Sequence, residues 1–336
     1  MRIPKLDTEK KVRTFVFSFD EKYAKYFSVV LVSLIRHVDK DYEYDLIVLY
    51  DSLSDKTIKK LKKIAPNGFT IRFFDVGDCA FEFLGDLSSS TVEGTWVVST
   101  FYDLLIPLIM PEYEYVLYCD SDIVFQDDPG KLFEIPVNSH PFAAVKDSFS
   151  LSFALEPEHK FLVNQDAFIH DILKISNPQN YINTGVILFN ISSIEKEEYL
   201  NRVRTAFTFP ELPTVDQDVL NYVFKDNIVL LPLRFNLQIS ALSKLKNNMA
   251  AVQTNPEASE LLEASQNPAI IHYTTKKKPW RSPDCEMGNR FWKEAKRSPF
   301  YRQILRENNL VKPKRTKIYW VKNLLNSFYK KITRRS

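Results

Sequence analysis

Glycine is scarce in this sequence: 7 of the 336 residues are glycine, against 25 phenylalanines and 16 tyrosines. Neither G-x-G-x-x-G nor G-x-x-x-x-G-K-S/T occurs in the chain. Their absence excludes the dinucleotide-binding fingerprint and the P-loop, which both hold phosphates with glycine-rich backbone. If the protein binds phosphates, it must therefore use a metal ion or basic side chains.

Cysteine and long apolar runs are also lacking. Cys79, Cys119 and Cys285 are odd in number and far apart, which fits neither a disulfide scaffold nor a zinc cluster and favours a reducing cytoplasm. The charged N-terminus has no apolar stretch of signal-peptide length, and no apolar run is long enough to cross a bilayer. We therefore expect a cytoplasmic protein, either soluble or peripheral at the inner face of the cell membrane.

Acidic residues are missing from the last part of the chain. Residues 312–336 contain 9 Lys and Arg and no Asp or Glu, whereas the remaining 36 basic residues (45 less 9) accompany 42 acidic ones. A mildly acidic body is not typical of a nucleic-acid-binding protein, so no nucleic-acid partner is expected. Apolar residues recur at helical spacing in this tail. The pattern predicts a basic amphipathic helix that lies on an anionic membrane surface or against the body of the protein.

Short β-rich runs alternate with helical patterns, which predicts an α/β fold with a mostly parallel sheet flanked by helices. Strands are predicted over residues 12–19, 45–50, 69–74, 115–118, 142–145, 185–189 and 228–231. Helices are predicted over residues 23–37, from a cap at Ser54 through Leu61, over 100–109 and after Met287. The simplest organisation is a nucleotide-binding domain over residues 1–250, a smaller helical C-terminal portion over 251–311 and the basic tail over 312–336.

Three D-x-D motifs occur, and one of them directly follows an apolar strand. Asp39-Lys40-Asp41 lies in an acidic turn and is expected to be a solvated loop, while the role of Asp216-Gln217-Asp218 stays open. Asp120-Ser121-Asp122 comes between the apolar runs YVLYC and IVF. Buried strand ends seldom carry two carboxylates for structural reasons, and ligands bind at the carboxyl ends of strands in open α/β sheets. This motif is therefore predicted to bind a manganese or magnesium ion that bridges a diphosphate.

A second enzyme class shares this local signature. Phosphatases of the haloacid dehalogenase type also place D-x-D after an apolar strand, with the first Asp as the nucleophile. They usually place it on the first strand of the domain, whereas at least three predicted strands precede Asp120. The later Lys and acidic-pair motifs of those phosphatases have no convincing counterpart here, so the phosphatase is the second interpretation.

Five segments together resemble glycosyltransferase family 8, the retaining GT-A group that includes bacterial lipopolysaccharide galactosyl- and glucosyltransferases and glycogenin. They are FVFSFDEKYAKYFSV (residues 15–29), TFYDLLIPLIMPEYEYVLYCDSDIVF (100–125), YINTGVILFNI (181–191), DQDVLNYVF (216–224) and HYTTKKKPW (272–280). The segments follow the family's order and span nearly all of residues 12–300. The resemblance implies manganese-dependent transfer of glucose or galactose from a UDP-sugar to a glycan, glycolipid or glycoprotein acceptor, with an α-linkage.

The resemblance also implies roles for the residues at matching positions. The metal ligands would be Asp120, Asp122 and His272. The donor-binding residues would be Asp20 and Tyr23 at the uracil base, Lys278 at the diphosphate, and Ser18, Asp120, Ser121, Asn183 and Thr184. Asp147, Asp216 and Gln217 would be the catalytic residues around the transferred sugar. Gln217 is a weak nucleophile, whereas Asp216 or Asp147 could form a covalent intermediate, so double displacement and front-face attack both stay open.

Structural roles stay open for single residues of this set. Asp20 could cap the following helix, Tyr23 could belong to the core, and a lone His272 could be structural. Two departures from the family pattern also bear on function: Asp103 stands where the family usually has a donor-binding Arg, and Thr275 replaces the Gly of H-Y-x-G-x-x-K-P-W. They keep open a catalytically silent member that binds a nucleotide sugar or a partner transferase.

Overall fold

The computed structural model of the chain describes residues 1–84, 98–148, 150–151, 167–210 and 212–310, so the helix predicted in the basic tail lies outside the described residues. The strands of this part are β1 Val12–Ser18, β2 Glu43–Tyr50, β3 Phe69–Asp75, β4 Tyr115–Cys119, β5 Ile123–Phe125, β6 Phe142–Lys146, β7 Ile182–Asn190, β8 Ile228–Leu230, β9 Leu237–Gln238 and β10 Ile270–His272. Its α-helices are α1 Ala24–His37, α2 Asp55–Lys62, α3 Gly77–Leu84, α4 Ile106–Ile109, α5 Lys196–Ala206, α6 Asp216–Phe224, α7 Ile239–Asn247, α8 Pro256–Gln266, α9 Gly288–Ala295 and α10 Tyr301–Glu307.

The strands form one large and one small sheet. The large sheet has seven strands in the order β3-β2-β1-β4-β7-β6-β8, and the small sheet has the order β5-β10-β9. In the large sheet β7 runs antiparallel to its neighbours β4 and β6, and the other pairings are parallel. The predicted α/β fold with a mixed, mostly parallel sheet is confirmed. Because β1 and β4 are parallel neighbours, the polar residues that follow them lie at the same edge of the sheet.

The two faces of β1 fill two separate cores. Phe15 and Phe17 belong to a core that also contains apolar residues of α1, α9 and α10, whereas Val16 belongs to the core that contains residues of α4, α5 and α6. Successive strand residues point to opposite faces of a sheet, which explains this division. Helices therefore cover both faces, as predicted.

The segment predicted as one helix over residues 100–109 is divided in two. The chain forms a 3-10 helix over Val98–Leu105 and then the single turn α4. Pro107 has no N–H to donate to the carbonyl four residues earlier, so an α-helix cannot continue through it. In the first turn of a new helix that donor is not required, and α4 accordingly begins next to the proline.

The other predicted elements match the structure to within a few residues, and Ser54 caps α2 by accepting the Thr57 N–H at 3.2 Å. The strands of the small sheet were not predicted, because two or three residues are too few to show an alternating pattern. No helix of the described ranges is long and apolar enough to cross a membrane.

Candidate active site

A cleft of 580 Å³ opens at the edge of the large sheet where β1 and β4 end and β7 begins. Every site residue expected from the sequence lines this cleft: Ser18, Asp20, Tyr23, Asp120, Ser121, Asp122, Asp147, Asn183, Thr184, Asp216, Gln217, His272 and Lys278. The fold thus brings together side chains from the first and the last thirds of the chain.

The three D-x-D motifs occupy different environments. Asp39 and Asp41 lie in an exposed turn, where Asp39 Oδ1 accepts the Asp41 N–H at 3.0 Å. Asp218 is buried and accepts the Tyr181 hydroxyl at 2.6 Å, which is a structural role. Its neighbour Asp216 lines the cleft, as do both carboxylates of the middle motif.

Asp120, Asp122 and His272, here called the metal cluster, are the one group of metal-ligating side chains found among the described residues. A ligand atom of each lies within 4.8 Å of those of the other two. His272 Nε2 is 3.3 Å from Asp120 Oδ2 and 3.1 Å from Asp122 Oδ1. His272 lies this close to the two carboxylates because β10 pairs antiparallel with β5. This pairing sets His272 opposite Ile123, the residue after Asp122.

A buried amide orients the ring of His272. The Nδ1 atom of His272 lies 3.0 Å from Asn236 Oδ1. Because an amide oxygen can only accept a hydrogen bond, Nδ1 carries a proton and donates it to Asn236. Nε2 is therefore the nitrogen that faces the carboxylates and that can bind a metal. Asn236 in turn donates through Nδ2 to Asn183 Oδ1 at 2.7 Å. Support of this kind for a histidine ligand is usual around metal sites.

Gly185 leaves the space that the metal cluster occupies. A Cβ at this position would lie 2.2 Å from His272 Cε1 and 2.8 Å from Asp120 Oδ2, both closer than unbonded atoms approach. The carbonyl of Gly185 also accepts the Asp120 N–H at 2.9 Å. A side chain here would therefore push two residues of the metal cluster apart.

Lys278 pairs with the metal cluster and shapes its electrostatics. Its ammonium group donates to Asp122 Oδ2 and to the carbonyl of Tyr273. Burial alone would raise the pKa of Asp122, but attraction to Lys278 and His272 outweighs burial and holds this pKa well below its usual value. For His272, burial acts to lower the pKa, yet the carboxylates of Asp122 and Asp120 prevail and raise it to about 9. Together with Lys278, the metal-free cluster thus forms a group of two carboxylates and two cations.

The donor set fits a divalent metal ion. Asp122 Oδ1 is a buried oxygen that lies 3.1 Å from His272 Nε2 but makes no hydrogen bond of good geometry with the described residues. A buried carboxylate oxygen is costly unless it is well bonded, and a bound metal ion would coordinate it. Two carboxylates and one imidazole are ligands that manganese accepts, and the carboxylates also suit magnesium.

A buried hydrogen-bond network lies beside the metal cluster. Asn183 Nδ2 donates to Asp147 Oδ2 and to Gln217 Oε1, each at 3.0 Å. Gln217 Oε1 also accepts the Thr184 N–H at 3.3 Å, and Gln217 Nε2 donates to the Tyr181 hydroxyl at 3.2 Å and to Asp147 at 3.4 Å. All donor and acceptor positions of the Gln217 amide are engaged, so this amide network, made of the five residues just named, is fixed in orientation.

Asp216 begins α6 directly after a strained residue. Val215 has a φ of 49°, in the left-handed region that β-branched residues avoid. Such strain costs on the order of 1–3 kcal/mol and concentrates at functional sites. Burial raises the pKa of Asp216 well above its usual value, and any negative charge on the neighbouring Asp103 and Asp120 raises it further. This environment favours the protonated form of Asp216, which is a poor nucleophile.

Asp20 and Tyr23 line the cleft after β1. Asp20 Oδ1 accepts the Tyr23 N–H at 2.8 Å, so the turn before α1 uses one oxygen of this carboxylate. Tyr23 packs edge-on against Trp280, with ring centroids 6.1 Å apart, and burial raises the pKa of its hydroxyl. Ser121 Oγ donates to the carbonyl of Ser18 at 2.9 Å and thereby ties the end of β4 to the end of β1.

The cleft also contains a group of three hydroxyl side chains that the sequence did not predict. Ser148, Ser240 and Thr274 line it, and Ser240 Oγ lies 2.8 Å from the hydroxyl oxygen of each of the other two. Such a group offers donors and acceptors to sugar hydroxyls. Single Ser and Thr residues in loops are too common to mark a site, and Asn236 lies in no motif, so no sequence signal was available for these positions.

The two departures from the family pattern differ in position. Asp103 is fully buried, with Oδ1 accepting the Leu104 N–H at 2.8 Å. Burial raises its pKa well above the usual value, and the charge of Asp120 raises it further. Thr275 lines a second cavity next to the cleft, together with Lys276 and other residues of the loop after β10.

The sequence is similar to several bacterial proteins. General stress protein A of Bacillus subtilis (strain 168) is 25% identical over 270 residues, which are 78% of this chain and 85% of that protein. Lipopolysaccharide 1,2-glucosyltransferase of Escherichia coli (strain K12) is 23% identical over 276 residues, which are 79% of this chain and 71% of that protein.

Solved structures and the family profile agree with this similarity. The apo structure of the bifunctional glycosyltransferase WbbM superposes with a TM-score of 0.75 and 25% identity, over 90% of this chain and 52% of that one. The galactosyltransferase LgtC in complex with donor and acceptor sugar analogs gives a TM-score of 0.66 at 20% identity, over 88% of this chain and 99% of LgtC. The profile of glycosyl transferase family 8 matches residues 14–284. The chain therefore belongs to glycosyl transferase family 8, and it is a glycosyltransferase with the GT-A fold rather than a phosphatase.

Proposed function

We propose that this glycosyltransferase moves glucose or galactose from a UDP-sugar to a glycan, glycolipid or glycoprotein acceptor, in a manganese-dependent reaction that retains the anomeric configuration and forms an α-linkage. One observation carries the proposal: the metal cluster, the ammonium group of Lys278 and four of the five residues of the amide network line a single cleft. A nucleotide diphosphate sugar needs these three kinds of group, at its diphosphate and at its sugar.

Each part of the donor has matching side chains in the cleft. The metal cluster would hold manganese, or magnesium, which when bound supplies positive charge to the departing diphosphate. Lys278 adds a second positive charge at that position. Asp20 offers a carboxylate oxygen and Tyr23 an aromatic ring to the base, while the amide network presents fixed polar groups to the sugar hydroxyls.

The amide network favours attack by the acceptor on the face that the leaving group vacates. Gln217 Oε1 already accepts from Asn183 and Thr184, so neither acceptor position is open for a bond to the sugar. Asp147 Oδ2 likewise accepts two N–H groups, and the raised pKa of Asp216 favours its protonated form. We therefore favour direct attack of the acceptor hydroxyl on an oxocarbenium-like carbon, with the departing phosphate oxygen taking the hydroxyl proton.

The acceptor is proposed to be a lipopolysaccharide core or another surface glycoconjugate made at the cytoplasmic face of the membrane. The similarity to a lipopolysaccharide glucosyltransferase and the basic sequence of the tail support this choice. Residues 1–250 would form the catalytic domain, residues 251–311 would complete the donor site with His272 and Lys278, and residues 312–336 would contact the anionic membrane.

The decisive experiment measures binding and slow hydrolysis of a panel of UDP-sugars, with and without manganese. The wild type should release UDP from one of them, and Asp122→Ala should lower this rate by about a thousandfold or more, because several kcal/mol of charge stabilisation are lost. Asp41→Ala, in the exposed D-x-D motif, is the matched control and should behave as the wild type. No binding of any UDP-sugar by the wild type would reject the proposal and favour the catalytically silent member that binds a partner transferase.

A further inference from the structure

A third cavity, of 470 Å³, lies between the C-terminal half of α1, the end of α2 and the turn before α10, away from the cavity that Thr275 lines. Four cationic side chains line it, and we call it the basic groove: Arg36, Lys60, Lys63 and Arg297. None of these residues lines the active-site cleft. Arg36 is 13 residues beyond Tyr23 along α1, which corresponds to about 20 Å of helix. The basic groove is therefore separate from the donor site.

The positive charge of the basic groove is only partly compensated. Arg36 donates to both carboxylate oxygens of the buried Glu294, and Arg297 lies 4.0 Å from the same carboxylate. Among the described residues, no carboxylate lies within 4 Å of the ammonium groups of Lys60 or Lys63. In the part of the chain that the structure describes, one carboxylate thus pairs with two of the four cations, which leaves the groove with a net positive charge.

Lys60 is held in the groove rather than extended into solvent. Its ammonium group lies 3.5 Å from the centroid of the Phe300 ring, and the side chain is half-buried. Burial, together with the charge of Lys56, lowers the pKa of Lys60. A partly buried ammonium group that faces an aromatic ring and no carboxylate is a position where a bound anion would stabilise the charge.

The walls of the basic groove are apolar. Val32, Ile35 and Ile64 line it between the cations. A ligand that fits both features has an anionic head and an apolar body. Positive charge also continues beyond the groove, because the exposed Lys56 and Lys59 of α2 lie at helical spacing from the exposed Lys63, which directly follows this helix. A small soluble anion would contact the groove alone, whereas a layer of anionic head groups would contact this whole surface.

We propose that the basic groove and the adjoining lysine face of α2 dock the protein on an anionic phospholipid surface, with lipid phosphates at Lys60 and Lys63. The docking surface is independent of the donor chemistry. It would act together with the basic tail, since two weak contacts of one chain with the same membrane strengthen each other.

Co-sedimentation of the full chain with phosphatidylglycerol vesicles tests this docking. Lys60→Gln/Lys63→Gln should bind about 25-fold more weakly than the wild type, because each lysine at an anionic surface contributes roughly fivefold. Lys5→Gln/Lys11→Gln removes the same charge at exposed positions elsewhere and should stay within about twofold of the wild type. Hydrolysis of a soluble UDP-sugar should be equal in all three proteins. Equal vesicle binding by the two double variants would overturn the proposal.

A measurement on the unmodified chain gives a second test. Acetylation by acetic anhydride, located by mass spectrometry, should be slowed at Lys60 and Lys63 by phosphatidylglycerol vesicles and unchanged at Lys5 and Lys11. Protection by inorganic phosphate equal to that by vesicles would assign the groove to a soluble anion and reject docking. Equal protection by phosphatidylcholine vesicles would also reject it, because no anionic head group would be needed.

Discussion

Metal binding should release a proton from His272. The surrounding carboxylates raise the pKa of this imidazole to about 9, so near neutral pH both ring nitrogens carry a proton. A metal ion needs the lone pair of Nε2, and the proton there competes with it. Raising the pH toward 9 removes this proton, so the affinity for manganese should rise with pH.

The size of the effect follows from the pKa. At pH 7, two units below the pKa of about 9, roughly 1% of His272 is neutral, which lowers the apparent affinity about 100-fold, or by about 3 kcal/mol. The dissociation constant should fall about tenfold for each pH unit between 6 and 8 and level off above 9. Asp122 does not add to the pH dependence of the dissociation constant in this range. Its pKa is held well below the usual value, so the carboxylate is already ionised.

Isothermal titration of manganese into the metal-free protein measures this dependence. Titrations at pH 7 in two buffers with different ionisation enthalpies should count close to one proton released per metal ion. His272→Gln keeps an oxygen ligand but no titrating group, so it should bind weakly and with no pH slope. His170→Gln changes an exposed histidine and should reproduce the wild-type slope.

A wild-type dissociation constant that stays constant from pH 6 to 8 would refute the reasoning. The His272→Gln variant then shows which step is at fault. Unchanged affinity in the variant would remove His272 from the set of metal ligands. Weakened affinity in the variant, beside a flat wild-type profile, would keep His272 as a ligand and reject only its raised pKa.

Four further substitutions test the surroundings of the metal cluster. Asn236→Ala should weaken manganese binding about 10- to 100-fold by titration, because the ring of His272 loses its orienting acceptor; unchanged affinity would contradict this role. Gly185→Ala should keep its circular dichroism spectrum but lose manganese binding, since the new methyl group overlaps His272, and tight binding by this variant would disprove the close approach. Lys278→Met should tighten manganese binding in the absence of donor, because it frees the Asp122 carboxylate that Lys278 now pairs with. The same variant should release UDP more slowly. Weaker manganese binding would show that Lys278 and the metal ion do not compete for Asp122. Asp103→Asn has the shape of the protonated acid and should leave the melting temperature and UDP-sugar binding unchanged, and a large change in either would indicate a charged Asp103.

The parts of the fold and site that the sequence predicted are those with a local pattern. The apolar run before Asp120 identifies β4, and two carboxylates directly after a buried strand are expensive unless they bind a ligand. The position of His272 was available only through the family resemblance. It depends on the pairing of β10 with β5, and strands of three residues show no periodicity of their own.

Contacts between distant segments account for what the sequence could not predict. Asn236 touches His272 only because the strand β9 lies next to β10, and nothing in the residues around it marks such a role. The need for glycine at position 185 arises from the His272 ring, which comes from a segment far along the chain. Both residues act through geometry that exists only in the folded protein.

Asp103 shows how burial changes the meaning of a departure from the family pattern. In the sequence it exchanges a donor-binding positive charge for a negative one, which would weaken the hold on a diphosphate. In the fold the side chain is fully buried, and both burial and the charge of Asp120 raise its pKa. The favoured form is thus a neutral acid, so the site loses a cation without acquiring a carboxylate that repels the donor. Lys278 and a bound metal would then supply the positive charge at the diphosphate, and the exchange by itself is a weak argument for a silent protein.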